Sequence, residues 1–107
     1  MEIKKDRFMK ARGGKAKIID VLCAKCNSQV LVYQKDGPGF LHRCYLNRIL
    51  EPEEYAKLQH KSDINLKSMP NLICKNCKTV IGSPMQHTDW RLAFRLRPGF
   101  YAKKQHN

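Results

Sequence analysis

Five cysteines are the residues of this sequence best suited to chemistry, and four of them form two pairs, each with a two-residue spacer. Cys23 pairs with Cys26 and Cys74 with Cys77, and 47 residues separate the pairs. An odd cysteine count without a secretory signal argues against a disulfide framework. Four thiolates suit tetrahedral Zn²⁺ instead, because each short spacer lets one tight turn aim both sulfurs at one ion. The spacing therefore predicts a structural zinc that cross-links distant parts of the chain.

Other kinds of cysteine site fit the pattern less well. A catalytic zinc is not expected, because four matched thiolates leave no open coordination position. A redox-active C-x-x-C motif is disfavoured, since that chemistry uses one motif at a strand–helix junction and not two motifs between strands. Iron–sulfur or another metal remains an alternative. Cys44 is interpreted as a small buried thiol, although Cys44 or His42 could replace one of the four ligands.

The residues around the two pairs form a weak internal repeat, over 21–31 and 72–81. Each copy has two apolar residues, the cysteine pair, a polar residue, a hydroxyl residue and further apolar residues. The repeat predicts two strand–knuckle–strand units that face one ion. The residue after each pair is expected in the left-handed conformation, which suits Asn27 better than Lys78.

The motifs CAKCN at 23–27 and CKNCK at 74–78 resemble those of the zinc-ribbon superfamily. The resemblance implies a small mainly-β zinc-ribbon-like domain, with Zn²⁺ held by Cys23, Cys26, Cys74 and Cys77. Two features depart from the common pattern of that superfamily. No glycine follows either cysteine pair, and the insert between the pairs is unusually long.

Local patterns predict further strands and one short inserted helix. Apolar and β-branched runs predict three strands in the first half of the chain, over 18–22, 29–35 and 40–45. The turn residues at 36–39 predict that the second and third of these strands form a hairpin. The segment 52–60 is expected to be helical, because Pro52 suits the first helical position and two glutamates follow it at the positive end of the helix dipole.

Strict alternation of apolar and other residues over 90–97 predicts a half-buried strand near the end of the chain. The residues expected in the core come from the apolar positions of this strand and from the other β-rich segments. They are Trp90, Phe94, Leu96, Val30, Val32, Leu41 and Val80. We expect one domain over 18–101. A basic arm over 1–17, mobile over 1–15, is expected before it, and a basic tail over 102–107 after it.

The charge of the chain is strongly positive, since 21 lysines and arginines face 9 acidic residues for a formal net charge of +12. Four thiolates and one divalent ion would lower this charge by only two. Such a field attracts anions, of which nucleic-acid phosphate is the commonest. The sequence therefore predicts a non-catalytic module that binds RNA or DNA in transcription, translation or ribosome-associated work. The residues expected to contact nucleic acid are Lys10, Arg12, Lys25, Lys75, Lys78, Arg91, Arg95 and Arg97.

Two other functions fit the same sequence. A zinc-stabilised protein-interaction module would dock through the 90–96 sheet edge or the 52–61 helix, and a redox-sensing zinc switch would use Cys44. An enzyme with a small-molecule substrate is not expected, because His87 and Asp89 are the only neighbouring histidine and carboxylate and no phosphate-binding glycine loop is present. No apolar run approaches the roughly 20 residues that span a bilayer, and no apolar signal segment follows the basic N-terminus. We therefore expect a protein of the cytoplasm or of another intracellular reducing compartment, without a membrane partner.

Overall fold

The computed structural model describes residues 2–106, and Met1 and Asn107, the outermost residues of the predicted arm and tail, lie outside the described residues. Eight strands make up most of the regular structure: β1 Ala16–Cys23, β2 Gln29–Asp36, β3 Arg43–Tyr45, β4 Ile49–Glu51, β5 Leu72–Ile73, β6 Val80–Gln86, β7 Leu92–Leu96 and β8 Tyr101–Gln105. The helical elements are α1 Arg7–Ala11, α2 Glu53–Ala56 and two 3₁₀ turns at Leu46–Arg48 and Lys57–His60. Within residues 2–106, no helix has the length and apolar character needed to cross a membrane.

The strands form two four-stranded antiparallel sheets. Sheet A has the order β4-β2-β1-β8, and sheet B has the order β3-β7-β6-β5. Each sheet contains one cysteine-bearing hairpin, β1–β2 in sheet A and β5–β6 in sheet B. The two halves of the chain also exchange one strand each, because β3 pairs with β7 and β8 pairs with β1. The predicted fold class, a small mainly-β domain with a short inserted helix, is confirmed.

The predicted hairpin between 29–35 and 40–45 is wrong. Gly37 and Gly39 have the positive φ values of a turn, 71° and 108°. The strand that follows, however, leaves sheet A and pairs with β7, with Cys44 opposite Phe94. Both of these side chains are fully buried there. The position of β3 therefore depends on burial in the core between the sheets. The turn residues before β3 give no indication of that burial.

The core contains most of the residues expected in it. Phe94, Leu96, Val30, Val32 and Leu41 are buried, and Val80 is half-buried. Trp90 is the exception, since 81% of its surface is exposed. The alternation that suggested its burial breaks at a turn, in which Trp90 has a φ of 73°, and β7 begins only at Leu92.

The predicted helix over 52–60 is confirmed in two parts, α2 and the 3₁₀ turn that continues it to His60. Pro52 precedes the first helical residue and does not occupy it. The apolar residues of this element face inward, since Tyr55, Ala56 and Leu58 are buried members of the core. The helix is therefore held by packing, as its short length requires.

A buried arginine, Arg48, binds the N-terminal segment to the body of the domain. Its side chain is fully buried and donates from Nε to Asp36 at 2.8 Å. It also donates from Nη1 and Nη2 to the two carboxylate oxygens of Asp6, at 3.0 and 2.5 Å. A buried guanidinium requires paired carboxylates, and Asp6 supplies one of them from the segment that was expected to be a mobile arm.

The N-terminal and C-terminal segments thus differ from the predicted arm and tail. The backbone of Lys4 exchanges two hydrogen bonds with the buried side chain of Gln34, at 2.7 and 2.9 Å. Asp6 also caps α1, in which Met9 is buried. At the other end, residues of the expected tail form β8, which pairs with β1. Both segments are parts of the folded domain within the described residues.

Candidate metal centre and the neighbouring cationic cleft

The four paired cysteines come together at one end of the two hairpins. The Sγ atoms of Cys23, Cys26, Cys74 and Cys77 all lie within 4.8 Å of one another. The short distances join one hairpin to the other, at 3.6 Å between Cys23 and Cys77 and 3.5 Å between Cys26 and Cys74. Sulfurs bound to one tetrahedral ion at about 2.3 Å would be about 3.8 Å apart, whereas a disulfide bond measures about 2.05 Å. The cluster therefore fits a metal ion.

The two knuckles have the same backbone geometry. In each knuckle the amide of the first cysteine donates to the carbonyl five residues later at 2.9 Å, and its carbonyl accepts from the amide four residues later at 2.8 Å. The residues after the pairs, Asn27 and Lys78, have φ values of 63° and 64°. The internal repeat and the left-handed conformation at both positions are confirmed.

Hydrogen bonds and burial give the cysteines different acidities. Hydrogen bonds from Asn76 and Ser28 lower the pKa of Cys26 to about 5. A hydrogen bond from Thr79 lowers the pKa of Cys77, whereas burial raises the pKa of Cys74 to about 11. The cluster thus has one side in the core and one toward solvent. The solvent side carries groups that favour the thiolate, the form that binds metal.

The other candidate ligands lie outside this cluster. Cys44 is fully buried, and burial raises the pKa of its thiol far above the usual range. Among the described residues, the group that could hold a metal consists of the four paired cysteines. His42 is exposed and lines a cleft described below. Neither residue therefore replaces one of the four ligands.

Three of the residues predicted to contact nucleic acid, Lys25, Lys75 and Arg97, bind other groups of the domain. The Lys25 Nζ and Arg97 Cζ atoms lie 5.5 and 3.8 Å from the centroid of the same ring, Phe100. Arg97 also donates to the carbonyl of Val80 at 2.9 Å. Lys75 forms an ion pair with Glu54. These cations therefore have partners within the domain.

The three arginines predicted to form one face are separated by their environments. Arg91 Cζ lies 3.8 Å from the Phe8 ring centroid and 3.6 Å from that of Tyr45, and its Nε donates to Asp89 at 2.9 Å. Only 14% of the Arg91 side chain is exposed. Arg97 packs on Phe100, as described above. Arg95 is exposed and, among the described residues, lies outside the ion pairs and the arginine–ring contacts that involve Arg91 and Arg97.

Arg43 was missed by the sequence analysis and lies directly opposite Arg95 in the pairing of β3 with β7. Arg43 is half-buried and, like Arg95, takes part in none of the ion pairs of the described chain. Like charges directly opposite each other destabilise a sheet. The sequence held no signal for this pair, because it predicts β3 in a hairpin with β2.

A cleft of about 380 Å³ opens beside this pair, between α1, the end of β2, β3 and the turn that joins β6 to β7. Its cationic lining residues are Arg12, Lys35, Arg43 and Arg91. The carboxylates in the lining, Asp36 and Asp89, are already bonded to Arg48 and Arg91. A second recess of about 350 Å³ shares His42 and Arg43 with the cleft and adds Arg95.

The cleft carries a net positive charge, since its lining has four lysines and arginines and two carboxylates. Lys35 is 8% exposed and donates from Nζ to the carbonyl of Gly37 at 2.8 Å. Burial, followed by the charges of Lys103, Arg12 and Lys17, lowers the pKa of Lys35. Lys10, which was predicted together with Arg12, is exposed on α1 and does not line the cleft. The structure therefore separates two residues that the sequence had grouped.

No protein-family model, curated protein or solved structure matches this chain. The resemblance to the zinc-ribbon superfamily rests on the two knuckles and on the four-cysteine cluster that they form.

Proposed function

We propose that the protein is a non-catalytic, zinc-stabilised module that binds nucleic acid in transcription, translation or ribosome-associated work. The observation that carries the proposal is the pair Arg43 and Arg95, which face each other beside the cationic cleft without an acidic partner in the described chain. Facing arginines repel each other in the free protein. A phosphodiester between them would convert this repulsion into attraction, since a guanidinium fork matches phosphate geometry.

The distribution of acidic residues supports the same proposal. Asp6 and Asp36 are bonded to the buried Arg48, and Asp89 is bonded to Arg91. Glu53 and Glu54 lie together on α2 and do not line the cleft. The acids near the cleft therefore neutralise internal cations and leave the exposed arginines and lysines to attract an external anion.

Zn²⁺ is the metal we propose for the cluster, because zinc favours tetrahedral coordination by four thiolates. Bound there, the ion would supply a cross-link between the β1–β2 hairpin of sheet A and the β5–β6 hairpin of sheet B. Native mass spectrometry should find one zinc per chain, and complete chelation should unfold the domain, since structural zinc contributes directly to folding. Cys44→Ser should keep the metal. A fold that persists after complete removal of zinc would contradict this part of the proposal.

Binding to nucleic acid is tested by fluorescence polarisation with a labelled oligonucleotide over a series of salt concentrations. The affinity should fall steeply as salt rises, because each phosphate contact releases counterions. Arg43→Gln with Arg95→Gln should weaken binding and lower the salt slope by about 0.7–0.9, the contribution of the one phosphate between them. The control is Lys61→Gln with Lys67→Gln, which changes the charge equally in an exposed segment outside the cleft.

The outcomes of this titration separate binding from folding. The Arg43/Arg95 variant should unfold at the same temperature as the wild type or higher, because a repulsive pair has been removed. The proposal fails if the wild type does not bind an oligonucleotide at about 50 mM salt, where phosphate contacts are strong. It also fails if the control weakens binding as much as the paired variant does.

The alternative functions have less support. A docking edge at 90–96 would require an edge strand, whereas β7 lies between β3 and β6. The apolar residues of the 52–61 helix, Tyr55 and Leu58 among them, pack in the core. A redox switch through Cys44 would require an accessible thiolate, and this thiol is fully buried. Nucleic-acid binding is therefore the function that we retain.

A further inference from the structure

We propose that the cleft beside Arg43 binds one unstacked nucleotide of a single-stranded nucleic acid, with its base against Phe40 and its phosphate among the cations of the wall. This inference rests on the proposed function and adds to it the form of nucleic acid and the place where it binds. It is carried by exposed aromatic rings, by an incompletely bonded arginine and by the shape of the cleft.

Phe40 is an aromatic residue that the fold leaves in solvent. It lines the cleft with 84% of its surface exposed, and its ring centroid lies 6.1 Å from that of His42. Packing does not account for this position, because the ring contributes almost no buried area. An exposed ring beside bound phosphates is the surface on which single-stranded bases stack.

Trp90 provides a second exposed ring next to the cleft. It lies between Asp89 and Arg91, which both line the cleft, and 81% of its surface is exposed. Its φ of 73° is a conformation that bulky residues rarely adopt. The turn therefore holds a large aromatic side chain in solvent at a conformational cost. Contact between the Trp90 ring and a bound partner would account for its exposed position.

Arg91 has a donor that the described chain does not satisfy. Its guanidinium is fixed between Phe8 and Tyr45 and by Asp89, yet its Nη1 atom is buried without a hydrogen-bond partner. Buried donors are rarely left unbonded, and an exception indicates a bound water, ion or ligand. An oxygen brought into the cleft, directly or through a water, would supply the missing acceptor.

The dimensions of the cleft favour a single strand over a duplex. A volume of about 380 Å³ lies within the range of sites for small organic groups. A base can enter such a cleft only after leaving its stack, which is easy in a single strand and costly in a duplex. Arg43 and Arg95 extend the cationic surface from the cleft to the second recess, which shares His42 and Arg43 with the cleft. The neighbouring phosphates of an extended strand would follow this path.

The test compares one oligonucleotide as a single strand and as a duplex, using the zinc-loaded full chain at about 50 mM salt. The wild type should bind the single strand at least tenfold more tightly. Phe40→Ala should weaken single-strand binding about 5- to 100-fold, which is the usual effect of losing one stacked base. Leu66→Ala is the matched control, because Leu66 is an exposed apolar residue that does not line the cleft.

A second pair of variants tests the phosphate side of the cleft. Arg12→Gln should weaken binding more than Lys10→Gln, although both residues are exposed, carry the same charge and lie within three positions of each other on or beside α1. Unchanged melting temperatures of Phe40→Ala and Arg12→Gln would show that the losses are not caused by unfolding.

The possible failures are distinguishable. If the oligonucleotide binds but Phe40→Ala matches Leu66→Ala, or if the duplex binds as tightly as the single strand, the cleft is not a nucleotide site and the proposed function stands. If neither form binds, the proposed function fails and the inference fails with it. Arg12→Gln and Lys10→Gln variants that lose affinity equally would also overturn the assignment of the cleft.

Discussion

Replacing Arg48 with methionine should lower the free energy of unfolding by about 3–5 kcal/mol, the usual cost of breaking a buried ion pair. The Arg48 side chain has no exposed surface and binds Asp36 at 2.8 Å and Asp6 at 2.5 and 3.0 Å. Methionine keeps much of the volume of arginine, so the loss comes mainly from two carboxylates without a cation. Asp36 should contribute most of it, because its side chain is 8% exposed, whereas that of Asp6 is 38% exposed and retains water.

The loss is measured by urea unfolding at a fixed excess of free zinc. The fixed metal concentration is needed because a ligand of the folded state adds its own binding free energy to the stability. In domains of about this size, a loss of 1 kcal/mol lowers the melting temperature by about 4 °C or more. Arg48→Met should therefore melt at least about 12 °C below the wild type. Lys57→Met is the control, because Lys57 is exposed and outside the ion pairs of the described chain.

A second variant shows whether uncompensated charge is the cause. Arg48→Met combined with Asp36→Asn should recover about 1 kcal/mol or more of the loss, since the most buried unpaired charge has been removed. The reasoning is refuted if Arg48→Met lies within about 0.5 kcal/mol of Lys57→Met, the range of ordinary surface substitutions. It is also refuted if the double variant is as unstable as the sum of the two single variants.

Three further predictions follow from single residues. Lys78→Gly should raise the free energy of unfolding by about 0.5–1 kcal/mol, because Lys78 has a φ of 64° that glycine adopts without strain. Asn27→Gly should change the free energy of unfolding less. A Lys78→Gly variant that is less stable than the wild type in urea unfolding would contradict this. Hydrogen bonding from Arg48 lowers the pKa of Asp6 from 3.8 to about 2, so the stability that this carboxylate contributes is complete above its unfolded pKa and is lost as the pH falls from about 4 to about 2. The Asp6 carboxylate of the zinc-loaded protein should therefore stay ionised down to about pH 4 in an NMR titration, and an ordinary pKa for Asp6 would oppose the assignment. Alkylation of the zinc-loaded protein at neutral pH should leave Cys44 unmodified in peptide mass spectra, because the thiol is buried and its pKa is raised; labelling at the rate of an unfolded control would contradict its burial.

The four-cysteine cluster was predictable from the sequence because its signals are local. Two C-x-x-C pairs with similar flanks specify two turns of the same kind, and the structure gives Asn27 and Lys78 nearly equal φ values. The mainly-β class and the helix that begins after Pro52 follow from similar short-range patterns. These three features depend on neighbouring residues, and the sequence identified them correctly.

The cleft could not be predicted, because long-range pairing creates it. Arg43 meets Arg95 only because β3 crosses to sheet B, and no turn residue in 36–39 signals that crossing. The N-terminal segment looked like a solvated arm, since the buried Arg48 that binds Asp6 lies 42 residues away along the chain. Trp90 followed the alternation of its strand but lies in a turn, where periodicity no longer determines burial.

The strand exchange relates the four-cysteine cluster to the cleft, because each of them joins sheet A to sheet B. The cleft has walls from β2 of sheet A and from β3 of sheet B, so its width depends on how the two sheets are held together. The four cysteines connect the sheets through the β1–β2 and β5–β6 hairpins, while β3 and β8 connect them through the exchanged strands. Facing arginines oppose folding, and a small domain tolerates that cost when cross-links supply stability from elsewhere. A metal ion in the four-cysteine cluster would therefore act at a distance, by holding together the two sheets that supply the walls of the cleft.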